Sequence, residues 1–407
     1  MTHSPRGSHE LAPGGPVIIS PGQVMSEAKV AIVVRAIPHY RRRFYAILRE
    51  RLHSRNVELV VIYGQAGKAG SSKQDTIDIS WGRRIRNRVF TIGGTELYWQ
   101  PCLKLLDGVD LVIATQEAKL LVNYVFVLQN VLGIRKLALW GHGRSYQPGR
   151  VNPLGTALKM LTSRHVHWWF AYTQGSARTV EANGFPAERI TVVQNAIDTR
   201  ELIAARDAVR PEDLGRLRDE LGVTSDNVGI FVGGMYAEKR LAFLLDACRL
   251  IKRHIDDFEM VFIGAGPEED VVRRAAEGAA WIHKVKPVFD EAKVPYFMLS
   301  KVLLMPGLVG LVILDALAME VPLVTTAVPY HSPEIEYARD GENAVIVRES
   351  ESVEAYASSV EHLFRDPGAL ESLREGCRRT RDVYTIENMV DRFADGIVRA
   401  LGHPAVA

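Results

Sequence analysis

The sequence predicts an α/β protein of two domains, each built on a parallel sheet with helices on both faces. Three observations carry this. Apolar runs of strand length alternate with segments of helical periodicity from end to end. The 407 residues suffice for two domains of ordinary size, each with its own core. Finally, Leu303 to Thr326 (LLMPGLVGLVILDALAMEVPLVTT) reads in one pass as strand, glycine-bearing loop, helix and strand.

Residues 1–24 are rich in Gly, Pro, Ser and His, lack periodicity and read as a disordered extension, with Met25 as a second start. The first domain is expected over residues 25–198. Its strands are Val30–Val34, Leu59–Tyr63, Leu111–Ala114, Lys136–Trp140, Trp168–Tyr172 and Ile190–Val193. Helices are expected over Arg41–Arg55, over about Gln116–Asn130, and ending near Gly184. The apolar run Leu120–Ile134, broken by Asn123, Gln129 and Asn130, reads as a buried helix and not a membrane span. Trp168 and Trp169 fall in a strand and are expected in the core.

The second domain, residues 199–384, repeats the rhythm. Val228–Val232 is a strand, Leu241–His254 an amphipathic helix, and Met260–Ile263 a strand leading into Gly264-Ala265-Gly266. A strand is expected over Trp281–Val288. In the Leu303–Thr326 unit, Pro306 and Gly307 end the strand, Gly310 permits a tight turn, Leu311–Met319 is helical, and Pro322 stops the helix. Residues 385–407 begin with a further helix, Thr385–Leu401.

Composition excludes several classes. A chain with 47% hydrophobic and 24% charged residues is a globular protein. Cys102, Cys248 and Cys377 form neither a metal spacing nor a disulfide framework, which fits a reducing cytoplasm. The N-terminus has no apolar core segment, so no signal peptide is expected. The formal net charge of +2 conceals a division: residues 25–200 carry 25 Lys+Arg against 12 Asp+Glu, and residues 201–407 carry 24 against 35. An anionic partner for the first half, such as a membrane surface or a phosphorylated acceptor, is one reading; steering of the two domains together is the other. Nothing points to nucleic acid.

Three places suggest chemistry. A helix N-terminus after a glycine-bearing loop gathers unpaired N–H groups and the positive end of the helix dipole, as at Gly310, Leu311 and Val312. A phosphate ester fits there, with Asp315 one turn deeper for a ribose, although many strand–glycine–helix units bind nothing. Lys239, in Gly233-Gly234-Met235-Tyr236-Ala237-Glu238-Lys239-Arg240, follows a strand and could neutralise the charge of a bound phosphate ester; Arg240 could assist or simply be solvated. His142, between Gly141 and Gly143, follows a predicted strand at the edge where ligands of parallel sheets bind, though a packed structural histidine would sit there equally well. In the loop Arg35-Ala36-Ile37-Pro38-His39-Tyr40-Arg41, residues Arg35, His39, Tyr40 and Arg41 could meet an acceptor, an arginine fork being suited to phosphate. Arg83, Arg84, Arg86 and Arg88 beside Trp81 make a second basic cluster, readable as an interface anchor or a solvated loop.

The Leu303–Thr326 stretch resembles the donor-site signature of the retaining glycosyltransferase family 4, nucleotide-sugar enzymes of GT-B fold. Asp315 matches the second of two acids with seven residues between them, Gly310-Leu311 the Gly-Leu pair in that interval, and Pro322 the following proline. The first acid's position holds Gly307. The segment around Lys239 is similar to the family's Gly-Arg-Leu-x-x-Glu-Lys motif, with Gly234 at the usual arginine, and Gln194–Thr199 is similar to its Asn-Gly-Ile-Asp interdomain segment, with Ala196 at the glycine.

The resemblance implies two Rossmann-like domains facing across a cleft, with the last helix crossing back to the first domain. It implies transfer, with retention, from a UDP- or GDP-linked sugar to a hydroxyl of a glycan, lipid-linked or small-molecule acceptor, in bacterial cell-surface polysaccharide or glycolipid assembly. No cofactor and no metal are implied. Lys239 and Gly310–Leu311 would take the diphosphate, Asp315 the ribose, His142 the sugar, and the backbone near Pro287 and Val288 the base. A cytoplasmic protein is expected, peripheral on the inner face of the plasma membrane where its acceptor is a lipid. The alternative is a non-catalytic nucleotide-sugar binder of the same shape.

Overall fold

The computed structural model describes residues 27–65, 76–93, 95–143 and 162–402; the extension expected over residues 1–24 lies outside them. The first half runs β1 (Ala28–Val34), α1 (Arg42–His53), β2 (Val57–Tyr63), β3 (Arg83–Arg84), β4 (Arg88–Ile92) and β5 (Thr95–Trp99). It continues through β6 (Leu111–Thr115), α2 (Val122–Val131), β7 (Lys136–Gly141), β8 (Trp168–Ala171), α3 (Gln174–Ala182) and β9 (Ile190–Val192). Seven of these strands form a parallel sheet in the order β9-β8-β7-β6-β1-β2-β3. Val30–Val34 is buried throughout, as the central strand of a sheet covered on both faces must be. Trp168 and Trp169 are in the core as expected.

Two expectations for this half need correcting. The helix placed from Gln116 starts only at Val122, because the preceding loop is tied to β5: the Tyr98 amide donates to Lys119 O at 2.8 Å, and the Leu121 amide to Tyr98 O at 2.9 Å. Nor is Leu120–Ile134 a buried helix. Val122, Phe126 and Asn130, spaced four apart, pack inward, whereas Leu128, Val131, Leu132 and Ile134 are 53–63% exposed. One face of α2 meets the sheet, and among the described residues nothing covers the other.

The second half runs α4 (Arg200–Ala208), α5 (Pro211–Leu221), β10 (Val228–Val232), α6 (Leu241–His254), β11 (Glu259–Ile263), α7 (Glu269–Glu277) and β12 (Ile282–Val285). After these come α8 (Val294–Met298), β13 (Val302–Leu304), α9 (Val312–Met319), β14 (Leu323–Thr326), β15 (Ala344–Val347), α10 (Val353–Arg365), α11 (Pro367–Arg381) and α12 (Ile386–Gly402). Six strands make a second parallel sheet, β12-β11-β10-β13-β14-β15. The strand expected over 281–288 stops at Val285, leaving Pro287 and Val288 in a loop. Helix α6 has the limits its apolar spacing gives, with Leu241, Leu244, Leu245, Cys248 and Ile251 buried on one side.

Helix α9 ends on Glu320, a non-glycine residue in the left-handed region at φ 59°. That conformation costs about 1 kcal/mol for a residue with a Cβ. Three guanidinium groups offset it: Arg206, Arg378 and Arg381 lie 2.5–2.6 Å from the Glu320 carboxylate and tie α9 to α4 and α11.

The last helix crosses back to the first sheet. Phe393 of α12 stacks on Phe170 of β8 at 4.3 Å, and Gly396 lets the helix approach where a Cβ would stand 2.6 Å from Thr191 Oγ1. The Lys136 ammonium donates to the carbonyl of Leu401 at 2.8 Å, a cation at the negative end of the helix dipole. Among the described residues no helix is long and apolar enough to cross a membrane, and the three cysteines are free and buried.

Candidate functional site

The strand ends of the two sheets supply loops that converge where the halves meet. In the second half, the loop after β10 is held by the loop after β11. Gly264, at φ 144°, has no room for a Cβ because Gly233 O would lie 1.9 Å from it, and the Met235 amide donates to Ala265 O at 2.8 Å. The Gly-x-Gly over 264–266 is therefore a backbone-to-backbone packing device. It fixes the loop that carries Lys239.

Lys239 is buried, and its Nζ donates to Leu308 O at 2.5 Å. In return, the Leu308 amide donates to Glu238 O at 2.8 Å. The ammonium thus stands beside the loop that enters α9, whose first amides at Gly310–Val312 have no intrahelical acceptor by their position. Burial pushes the Lys239 pKa down to about 8, with the nearby Glu238 charge opposing that shift. The loop is braced from the far side by His331: its Nδ1 accepts from the Val309 amide at 3.0 Å, so the proton lies on Nε2, which donates to Thr326 O at 2.7 Å. Thr326 Oγ1 donates to Pro306 O at 2.6 Å.

Gly307 has a steric reason to be glycine. A Cβ there would lie 2.1 Å from Glu238 O and 2.7 Å from Lys239 Cα. The carbonyl that anchors the lysine loop fills the space a side chain would need. Gly234 is exposed, beside the Tyr236 ring.

Asp315 is buried one turn into α9 and paired with Lys293, Nζ to Oδ1 at 2.8 Å. Lys293 was not read from the sequence; it lies in the segment preceding α8, and only the tertiary fold brings the two together. Pro287 and Val288 follow β12 on this side, Pro287 exposed and Val288 half-buried. Arg240 points away from the lysine. Its backbone is left-handed at φ 57°, and its guanidinium donates to Ser350 O at 2.6 Å, pairs with Glu351 at 2.8 Å and lies over the Phe243 ring.

In the first half, His142 follows β7 and meets the Tyr172 ring edge-on at 4.3 Å. Its loop is fixed by Gln116, at the end of β6, which accepts from the Gly143 amide at 3.0 Å and donates to Ser163 Oγ at 3.1 Å. A Cβ on Gly141 would stand 2.8 Å from Gln116 Cβ. Gln116 thus fixes the loop that carries His142, and sequence reading did not single it out.

The loop expected to meet an acceptor divides. Arg35 lies over the Tyr98 ring at 5.2 Å and pairs with Glu117 at 3.5 Å. His39 reaches across to the second half, 3.5 Å from Asp290 and edge-on to Phe289 and Tyr40. Arg41 is 5% exposed and turned into the domain junction. There it donates to Asn195 Oδ1 and, at 3.2 Å, to Ala196 O, enclosed by Tyr40, Phe44 and Trp140 rings. Asn195 in turn donates to Glu334 Oε1 at 2.5 Å, whose carboxyl is pushed up from the usual carboxylate range by burial. A second interdomain carboxylate, Glu336, accepts from the Gly175 amide at 2.7 Å and Thr173 Oγ1 at 2.9 Å, at the N-terminus of α3. Arg41 is thus part of the junction, not of the open surface.

The structure therefore gathers Lys239, Gly307, Gly310, Leu311, Val312 and Asp315 about one helix N-terminus and leaves Arg240 and Arg41 in other roles. Among the described residues, no three His, Cys, Asp or Glu side chains are grouped to hold a metal ion.

Residues 226–366 match the family model described as glycosyl transferases group 1. No curated protein sequence matches the chain. Among solved structures, the chain is similar to Alr3699/HepE of Anabaena in complex with UDP: TM-score 0.68 and 14% identity over 91% of this chain and 99% of that one. A glycosyltransferase from Rickettsia africae gives TM-score 0.67 and 15% identity over 93% and 100%. The pneumococcal O-GlcNAc transferase GtfA, in complex with UDP and GlcNAc, gives 0.64 and 11% over 93% and 100%. These likenesses extend over both halves, and the fold is GT-B.

Proposed function

From a chain that carries a group 1 glycosyltransferase domain on a GT-B fold, we propose a retaining, metal-independent glycosyltransferase of the family 4 type. It moves a sugar from a nucleotide diphosphate sugar to a hydroxyl of a glycan, lipid-linked or small-molecule acceptor, in bacterial cell-surface polysaccharide or glycolipid assembly. The observation that carries this reading is the buried Lys239 ammonium seated against the loop at the N-terminus of α9. A cation and unpaired amides at one point suit a diphosphate, and they suit it better as charge builds on the leaving oxygen. UDP or UDP-glucose bound in the Anabaena protein supports a uridine donor over a guanosine one.

In this reading the diphosphate rests on the amides of Gly310–Val312 and on Lys239. The ribose hydroxyls meet Asp315, the base lies along the backbone of Pro287 and Val288, and the sugar extends toward His142. The bond from the anomeric carbon to the diphosphate oxygen breaks, and the acceptor oxygen bonds to the same face. Its proton passes to the departing phosphate oxygen. No protein nucleophile enters. Gly307 takes no part through a side chain, so the sugar contact that an acid there would make is missing.

A panel of UDP- and GDP-sugars, read first by thermal shift and then by nucleotide release with acceptor extracts, tests the reading. Stabilisation by one donor and release of its diphosphate are expected. Stabilisation without release under any acceptor condition would establish the non-catalytic binder instead, and no stabilisation by any nucleotide sugar would overturn both.

A further inference from the structure

Among the described residues nothing covers the outer face of the β4–β5 hairpin. All five residues of β4 are exposed, including Val89 at 40%, Phe90 at 48% and Ile92 at 66%. The antiparallel register pairs Phe90 with Leu97 and Ile92 with Thr95, so Phe90, Ile92 and Leu97 lie on one face of the ribbon. Tyr98, on the other face, is buried and bonds the loop before α2, holding the ribbon to the body. An isolated two-stranded ribbon with an apolar outer face is unusual unless something covers that face.

Charge along the arm is graded. Arg83, Arg84, Arg86 and Arg88 are exposed at its root, with Asp78 pairing Arg84 at 2.7 Å and Glu96 accepting from the Tyr98 hydroxyl at 2.5 Å. The apolar side chains lie beyond the arginines. At about 3.3 Å per residue, Phe90 is ~7 Å and Ile92 ~13 Å past Arg88. A cationic root and an apolar tip, separated by this distance, match the depth from lipid phosphates to the upper acyl chains.

The root of the arm is tied to the end of β1. Its root residue Asn87 donates through Nδ2 to Arg35 O at 3.0 Å, and Gln100, just past β5, donates to Val34 O at 3.0 Å. Val34 ends β1 and Arg35 opens the loop that follows it, at the C-terminal edge of the first sheet. Whatever the arm grips is brought to the mouth of the first domain.

We infer that the β4–β5 hairpin is a membrane-docking arm, inserting Phe90 and Ile92 into the interface of an anionic bilayer while Arg83, Arg86 and Arg88 meet lipid phosphates. The inference deepens the reading above by giving a lipid-linked acceptor its place, but vesicle binding requires neither donor nor turnover. Failure of one therefore leaves the other standing.

The test is flotation of the full chain with vesicles of phosphatidylcholine alone and of phosphatidylcholine with about one quarter phosphatidylglycerol. The wild type is expected to float with the anionic vesicles only, less so as salt rises. Phe90→Ser with Ile92→Ser is expected to reduce the bound fraction about 10-fold at an unchanged melting temperature, since both side chains are solvent-exposed in the free protein. Replacing Arg83, Arg86 and Arg88 by serine should remove the preference for anionic vesicles. Two results would overturn the inference: vesicle binding by the Phe90/Ile92 variant equal to wild type, or a wild-type dimer in light scattering that this variant dissolves, which would make a second copy the occupant. Absence of flotation by the wild type on either vesicle would do the same.

Discussion

The Lys239 ammonium and the Leu308 carbonyl lie 2.5 Å apart, and the Leu308 amide returns a bond to the residue before the lysine. The loop after β10 and the loop into α9 are thereby one unit, with a buried positive charge at its centre. Desolvation of that charge holds the Lys239 pKa down at about 8, from 10.5 in an unfolded chain. Between those values the unfolded chain binds more protons than the folded one, so this group makes stability rise with pH across that window, and its charge is a burden at lower pH. A bound diphosphate reverses the balance by favouring the charged form. Donor affinity should be level below about pH 8 and weaken above it. Lys239→Met should leave the ligand-free protein as stable as wild type or more so near pH 7, while lowering turnover roughly 10²-fold. A mutant that loses stability but keeps its rate would remove Lys239 from the site.

Asp315 and Lys293 test separate roles within one ion pair. If the carboxylate also receives a ribose hydroxyl, Asp315→Asn should raise KM about 10-fold and change kcat less, because that contact exists in ground and transition states alike. Lys293→Met leaves the carboxylate in place without its partner. It should lower the melting temperature by several degrees and alter KM only slightly. Equal KM effects for the two variants would mean that the pair acts as a structural unit and holds no ribose.

Gly307 offers a counter-intuitive substitution. Restoring an acid at this position, Gly307→Glu, places a Cβ within 2.1 Å of Glu238 O. The loop carrying Lys239 must then shift. Loss of a few kcal/mol of stability is expected, together with weaker donor binding and no gain in rate. A stable and faster Gly307→Glu variant would show that the lysine loop yields freely and that the glycine is not there for packing.

How much could be read beforehand follows from the range of the interactions. The central parallel strands, such as β10, announce themselves because both faces are buried, making them unbroken apolar runs, whereas the edge strand β3, two exposed arginines, does not; α6 has the limits that its spacing gives. The glycine loop and helix of residues 306–319 are local chemistry, hence legible. Partnerships across the fold are not. Arg41, Arg42 and Arg43 are chemically identical in sequence, yet only Arg41 is turned into the junction with Asn195, while Arg42 and Arg43 are exposed. The Asp315–Lys293 pair spans 22 residues and the Glu320–Arg206 pair 114, and neither leaves a local signature. The β4–β5 ribbon escaped because β4 is exposed on both sides, which erases the alternation by which a strand is recognised.

His142 remains the residue whose placement admits two chemistries. It follows the C-terminal end of β7, between two glycines, and its ring meets Tyr172 edge-on at 4.3 Å. If it contacts the donor sugar as charge develops at the anomeric carbon, His142→Ala should cost about 10²-fold in kcat, or ~2.7 kcal/mol of transition-state stabilisation. If it only packs the loop, the same variant should melt earlier with kcat nearly preserved. Gln116→Ala separates these further. Gln116 holds the loop through the Gly143 amide, so its loss should displace His142 without removing it. The positioning argument predicts that Gln116→Ala lowers kcat by a smaller factor in the same direction as His142→Ala, and that the double variant is no slower than His142→Ala alone. Additive losses in the double variant would show that Gln116 and His142 act independently, and a His142→Ala enzyme of full activity would take the histidine out of the reaction.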